Sequence, residues 1–362
     1  GPGSRLESQS LVFHGSIQVG DRITLKVRVG AKHTAGNRIV LACTGLNQHG
    51  QEVCSGRAEV VAPTQRMRRP RSVLPDMQLT EHVDLNRLME AAAHRPAVRM
   101  AVVHPVDALS LQGVVAAVRA GLIDPVMVGP RARIDAVAEA EGLDLGGYEM
   151  VATDHSHAAA SEAVRLARAG RVDAIMKGSL HTDELMHEVV HKVRGLRTER
   201  RVSHVLALDV PAYPRPLFMT DAAINIAPDL DTKRDIIINA IELVHALDIE
   251  RPRVAVLSAV DTVTSKIETT LHAAALCKMA DRGQITGALL DGPLGFDNAV
   301  SLEAAETKGI ESLVAGRADI LLVPDLESGN MLVKQLAYLA GAEAAGIVLG
   351  ARVPVVLTSR AD

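Results

Sequence analysis

Between about Leu11 and Pro63, apolar and polar residues alternate along the chain. The stretches DRITLKVRV, NRIVLACTGLN and QEVCSGRAEVVA carry the alternation, and NQHG stands between the last two as a turn. A period of two puts the apolar set on one face, which predicts an antiparallel meander. Its apolar positions, Ile23, Leu25 and Val27 among them, then need a cover. The segment PTQRMRRPRSVLP follows, bounded by prolines and carrying Arg66, Arg68, Arg69 and Arg71. It reads as a solvated basic linker, with a phosphate-binding patch as the sharper alternative.

From about Asp84 the period changes. Short aliphatic runs such as RMAVVHP, VDAIMKGS, HVLALDVP and ADILLVPD alternate with amphipathic stretches such as ASEAVRLARAG and DTKRDIIINAIELVHAL. Strands that are apolar on both faces and separated by helices predict an α/β fold with a parallel sheet covered on both sides. Asp154 and Asp231 are placed to cap helices, and Gly283 to end one.

Polar and small residues recur where these strands end: MKGSLHT, LDGPLGFDN, PDLESGN and LTSR. Open α/β sheets bind ligands beyond the carboxyl ends of their strands. In KGSLHTDELM, Lys177, Gly178, Ser179 and Thr182 precede or open a helix, whose free N–H groups and dipole favour phosphate. An ordinary cap beside a solvated lysine is the plainer alternative. SGN, with Gly329 and Asn330, repeats the arrangement. LDGPLGFDN adds Asp291, Gly292 and Asn298 as substrate-binding candidates, although GPLG also serves as a tight strand–helix connection. VPVVLTSRAD delivers Ser359 and Arg360, and an arginine fork binds phosphate bidentately where a lysine cannot. Together these loops point to a polyanionic substrate.

Composition narrows the classes. The chain is 48% hydrophobic, with no Trp, three Tyr and three Phe, so the core is aliphatic and lacks platforms for base stacking. A formal charge of -4 supplies no global basic face, so no nucleic-acid partner is expected. No apolar run reaches membrane-spanning length, and three cysteines form neither a disulfide framework nor a metal knuckle, so a cytoplasmic protein is expected. Gly1 to Ser4 reads as a tag remnant. No Walker A or G-x-G-x-x-G pattern is present. HEVVH, with His187, Glu188 and His191, fits the zincin helix pattern. The plainer alternative is a helix from near Thr182 that turns Leu185, Val189 and Val193 to the core. His204 lies beyond an Arg-rich segment, too far to serve as an evident third ligand, and no metal is expected. DHSH at 154–157 is discounted likewise, Asp154 being better explained as a cap.

MTDAAINIAPDLDTK (219–233), KMADRGQITGALLDGPLGFDNAVS (278–301), ADILLVPDLESGNMLVK (318–334) and PVVLTSRAD (354–362) together resemble the phosphate acetyltransferase and phosphate butyryltransferase family, over roughly residues 80–362. The resemblance implies acyl transfer between coenzyme A and inorganic phosphate, with coenzyme A as a substrate and no further cofactor. It implies two parallel-sheet α/β domains flanking a cleft, an architecture shared with isocitrate and isopropylmalate dehydrogenases, and a homodimer or higher homo-oligomer. Residues 81–196 with 343–362 would form one domain and 197–342 the other, after a linker at 63–80. Ser359 and Arg360 inherit an active-site role, and Lys177, Gly178, Thr182, Gly329 and Asn330 map to substrate-binding loops. An aspartate a few residues beyond the arginine serves as thiol base in proposals for the acetyl branch. The sequence stops before that position and before an expected terminal helix, and Asp362 stands too close to Arg360 to be equivalent. Residues 5–62 resemble the C-terminal half of a MaoC-like hot-dog hydratase, without its central helix or catalytic Asp and His, so no hydratase activity is expected. A metal-dependent hydrolase built on HEVVH and a dehydrogenase of the same architecture are the alternatives.

Overall fold

The computed structural model describes residues 4–15, 22–63, 92 and 95–357. Ser359, Arg360 and most of the basic linker lie outside them. The chain divides into two compact units, Gly1–Leu79 and Thr80–Asp362.

The first unit is an antiparallel sheet of β1 (Arg5–Phe13), β2 (Thr24–His33), β3 (Arg38–Leu46) and β4 (Glu52–Val61), in the order β1-β4-β3-β2. Hence β2, β3 and β4 form the expected meander, with the NQHG turn closed by the Gly50 N–H donating to the Asn47 carbonyl at 3.0 Å. The first strand begins at Arg5 rather than near Leu11, and it returns to the free edge of β4. RLESQSLVF mixes charge with apolar residues too irregularly to show a period. On β2, Leu25, Val27 and Val29 stay exposed, at 72%, 59% and 54%.

In the second unit, eleven strands among the described residues form one sheet in the order β12-β11-β13-β10-β9-β14-β15-β8-β5-β6-β7. The strands β5 (Val98–Val103), β6 (Ile123–Gly129), β7 (Glu149–Ala152), β8 (Ala174–Lys177) and β15 (Val355–Val356) form one parallel block. The second block consists of β10 (Leu217–Thr220), β11 (Arg253–Leu257), β12 (Leu289–Leu294) and β13 (Ile320–Leu322). Between them, β9 (Ser203–Asp209) and β14 (Glu343–Leu349) pair antiparallel to each other, β9 to β10 and β14 to β15. The two expected parallel sheets are therefore two oppositely directed blocks of a single, mostly parallel sheet. A short hairpin from β14 into β15 makes this seam, because antiparallel neighbours need no crossover.

Helices cover both faces. On one lie α1 (Ala108–Arg119), α2 (Arg131–Ala140), α5 (Leu230–Ala246) and α6 (Glu268–Asp281). On the other lie α3 (Ser156–Arg168), α4 (Thr182–Val189), α7 (Phe296–Val300), α8 (Leu302–Thr307) and α9 (Leu326–Ala340). The core is aliphatic, with Val102, Val128, Ile175, Ile236 and Leu321 buried between sheet and helices. Gly283 follows α6 at φ +73°, the left-handed position expected of it. The caps differ from expectation. Asp229, not Asp231, accepts from the Thr232 N–H at 2.8 Å, and Asp231 pairs with Arg234 inside the first turn. The His155 ring, not Asp154, accepts from the Ala158 N–H. The first of these helices begins two residues before the predicted start and the second one residue after it, so a nearby side chain takes each cap.

Candidate active site

The loop after β8 is fixed by the loop after β5. The Gly178 N–H donates to the Val103 carbonyl at 3.0 Å, and the Ser179 N–H donates to the His104 carbonyl at 2.9 Å. The His104 ring returns the contact through Nδ1 to the Ser179 carbonyl at 2.8 Å. A Cβ on Gly178 would fall 2.5 Å from the Val103 oxygen and 3.0 Å from Pro105, so the loops pack this closely only around glycine. Lys177 is thereby buried, with Nζ 3.3 Å from the Gly178 carbonyl. The first turn of α1 faces the same space. It is capped by Asp107, whose carboxylate accepts from the Ser110 N–H at 2.7 Å.

A second wall comes from α9. Asp325 caps it by accepting from the Ser328 N–H at 2.8 Å, and the Ser328 hydroxyl also reaches the Asp325 carboxylate. Gly329 lets the helix approach: a Cβ there would lie 2.7 Å from the Val323 side chain and 3.1 Å from Ala222. The Asn330 amide then donates to the Ala222 carbonyl at 3.4 Å. Asp221 holds this stretch in place by accepting from the backbone N–H groups of Ala223, Ile224 and Asn225 and from the Asn225 amide. Burial pushes its carboxyl above the usual range despite those donors. Asp221 is not among the sequence candidates, although an Asp whose side chain bonds the backbone two residues on is a recognisable turn former.

Two cavities adjoin here. One, of about 750 Å³, is lined by Asp107, Ser110, Lys177, Gly178 and Ser179. The other, of about 510 Å³, is lined by Thr182, His204, Leu206, Ala222 and Asn330. Ala344, Gly346 and Leu357 border both. Lys177, Gly178, Ser179, Thr182 and Asn330 thus gather from distant parts of the sequence, with Gly329 one residue behind. Leu357, the last described residue, leads directly toward Ser359 and Arg360 in sequence.

Asp291, Gly292 and Asn298 do not join them. β12 stands seven strand spacings from β8, about 34 Å at 4.8 Å per spacing. There the Asp291 carboxylate accepts the Gly292 N–H at 2.8 Å, and the buried Asn298 amide donates to Asp261 at 3.2 Å. Gly292 serves packing, since a Cβ on it would lie 2.8 Å from Val256.

HEVVH brings its two imidazoles within 6.3 Å of each other, centroid to centroid, but not from one helical face. α4 ends at Val189, and His191 lies in the following turn, where its Nδ1 accepts from the N–H groups of Val193 and Arg194. Leu185 and Val189 are buried as expected, whereas Val193 is 82% exposed because the helix has ended. Leu196 takes the core position instead. Burial would raise the Glu188 carboxyl. The Arg194 guanidinium, bonded to both oxygens at 2.7 and 3.0 Å, outweighs burial and leaves it below the usual range. A doubly bound carboxylate is a poor general base. Replacing His187 and His191 together by Ala is expected to leave turnover within about twofold of the unaltered protein, since neither side chain lines the two cavities, and to lower stability through loss of the His191 turn bonds. Loss of activity to a chelator, restored by zinc, would contradict this.

Comparison with known proteins places the chain. Residues 152–362 match the family described as "Phosphate acetyl/butaryl transferase". The chain is 61% identical over 278 residues to a phosphate acetyltransferase of Rhizobium meliloti, covering 76% of this chain and 88% of that protein. It is 42% identical over 264 residues to a phosphate butyryltransferase of Clostridium acetobutylicum, covering 73% and 88%. Among solved structures, a branched-chain phosphotransacylase from Enterococcus faecalis V583 superposes with a TM-score of 0.64 at 29% identity, over 73% of this chain and 93% of that one. These matches leave the hydrolase and dehydrogenase alternatives without support. A family match over more than half of the chain, and a relative this similar over most of its own length, show that the chain belongs to the phosphate acetyl/butyryl transferase family.

Proposed function

We propose that this chain is an acyltransferase that exchanges an acyl group between coenzyme A and inorganic phosphate, by direct transfer in a ternary complex. The observation that carries the proposal is the convergence of the Lys177–Thr182 loop and Asn330 on two adjoining cavities, in a member of this family. Acyl transfer from an acyl phosphate needs a cation for the phosphoryl oxygens and a separate place for thiol and acyl group. In the forward step the sulfur of coenzyme A attacks the acyl carbonyl carbon as its thiol gives up a proton, which ends on the released phosphate. The carbonyl oxygen takes up the displaced electron pair. The tetrahedral species then collapses, and the C–O bond to phosphorus's oxygen breaks with its electrons leaving on phosphate. Lys177 and the first turn of α1 would hold the anion, joined by Arg360, whose fork suits phosphate. Ser359, Ser179 and Thr182 would supply hydroxyl donors, and Gly329 would keep Asn330 against the second cavity.

The test is thioester formation from coenzyme A with acetyl, propionyl and butyryl phosphate, followed optically. Turnover of at least one is expected, and no thioester from any of them would overturn the proposal.

Residues 81–196 with 343–362, and 197–342, are the two proposed catalytic domains; the two parallel blocks of the sheet support this partition. A homodimer or higher homo-oligomer in the cytoplasm is proposed with it. We also propose that β1–β4 are the C-terminal half of a hot-dog fold without hydratase activity. Its support is an antiparallel sheet with an uncovered apolar face and no α-helix among its described residues. Deleting residues 5–62 is expected to preserve acyl transfer within about twofold. Hydration of crotonyl-coenzyme A by the intact chain, lost on that deletion, would refute it.

A further inference from the structure

His204 stands on β9, on the face covered by α9. Its register partner on β14 is Val348, and Gly346 lies beneath the edge of the ring. A Cβ built on Gly346 would fall 2.5 Å from Nε2 and 2.8 Å from Cε1. The residue is 6% exposed, and neither ring nitrogen has a hydrogen-bond partner among the described residues. Its backbone is satisfied, the carbonyl accepting from the Thr220 hydroxyl at 2.9 Å, so the deficit belongs to the imidazole. Burying a polar group without a partner is costly, and buried side-chain nitrogens in native proteins nearly always have one. The missing partner is to be sought in the second cavity, which the ring lines.

The surroundings select its chemistry. Leu206, Ala222, Ala344 and Gly346 give the second cavity an apolar wall and Thr182 and Asn330 its uncharged polar groups, while the buried cation Lys177 belongs to the first cavity. The lysine of the second cavity, Lys334, is on the exposed side of α9. A dianionic phosphoryl group would lack a counter-charge beside His204. A carbonyl oxygen at the end of a short apolar chain needs one donor and no charge. Burial holds the imidazole pKa down to about 4, so near neutrality the ring carries one N–H donor and no charge.

We infer that His204 contacts substrate: its ring N–H donates to the carbonyl oxygen of the acyl group seated in the second cavity. The bond strengthens as that oxygen takes on charge when sulfur attacks, so it favours the transition state over bound substrate. A neutral imidazole is suited to polarising a carbonyl in this way. Gly346 is the accompanying device, since any side chain there would occupy the place of the ring. This inference rests on the acyl-transfer proposal and adds to it the acyl site and its donor.

The experiment compares kcat, KM for both substrates and thermal midpoint in the unaltered chain and in His204→Leu, His204→Gln and Gly346→Ala. His204→Leu is expected to lose about 10²-fold in kcat, as when an oxyanion donor is removed, with KM for coenzyme A little changed. Its midpoint should equal or exceed that of the unaltered protein, because the unpaired polar ring is gone. His204→Gln keeps an N–H donor and should recover about tenfold of the lost rate. Gly346→Ala should lower kcat by displacing the ring. A folded Leu variant with unaltered kcat overturns the inference. So does a Leu variant that loses stability while the Gln variant restores stability without rate, since the ring would then be structural. If the Leu variant does not fold, unaltered kcat in Gly346→Ala overturns it. Absence of transfer by the unaltered chain overturns the functional proposal and this inference together, whereas transfer unaffected by these substitutions overturns this inference alone.

Discussion

Gly178→Ala is expected to lower stability by about 2 kcal/mol and to slow acyl transfer at least about tenfold. The added Cβ would stand 2.5 Å from the Val103 carbonyl oxygen, the atom that accepts the Gly178 N–H at 3.0 Å. Backbone, not a flexible side-chain tip, must yield. The neighbouring Ser179 bond to His104 would shift with it, carrying Lys177 and Ser179 away from the first cavity. Catalytic geometry is less tolerant than stability, since displacements near 1 Å can cost about 10²-fold in rate. Thermal unfolding and steady-state turnover, measured on the same preparation, check both arms. An unchanged midpoint would mean the two loops are not packed as described.

Arg360→Lys is expected to fold like the unaltered protein and to lose about 10²-fold in kcat at saturating acyl phosphate. Both side chains are cationic, so simple attraction for phosphate survives the exchange. What disappears is the planar fork, two parallel N–H donors at fixed spacing, which matches two phosphoryl oxygens at once. Charge accumulates on those oxygens as the C–O bond breaks, so the loss should fall on kcat more than on KM. Near-normal turnover in the Lys variant would remove Arg360 from phosphate binding.

Elements with a strong period were legible in the sequence, as were loops that announce themselves by glycine and a polar residue after a β-branched run. Lys177, Gly178, Ser179 and Thr182 carry that signature, and they line the two adjoining cavities together with Asn330. Asp291, Gly292 and Asn298 carry the same local signature and lie seven strands off, because strand order is decided by long-range pairing that no local pattern encodes. The antiparallel seam was hidden for the same reason: β14 and β9 read as ordinary aliphatic strands, and direction is not a property of either alone. Val193 continues the apolar spacing of Leu185 and Val189, but periodicity cannot report that α4 stops at Val189. In the sequence His204 stands out only as a distant histidine beyond an Arg-rich segment. Its unpaired ring becomes visible only once α9 and β14 close over it.

The position of β15 has a consequence for how the chain is made. Val355 pairs with Ile175 of β8, 180 residues earlier (355 minus 175). Until Val355 leaves the ribosome, β5 can complete only one side of β8. At about 5–20 residues per second, that open edge persists for roughly 10–40 s. Throughout that time the nascent chain holds a parallel sheet whose inner edge offers unpaired N–H and carbonyl groups, a template for pairing with other chains. Closure of the sheet is therefore a late event, set by translation rate and by contacts of high sequence separation.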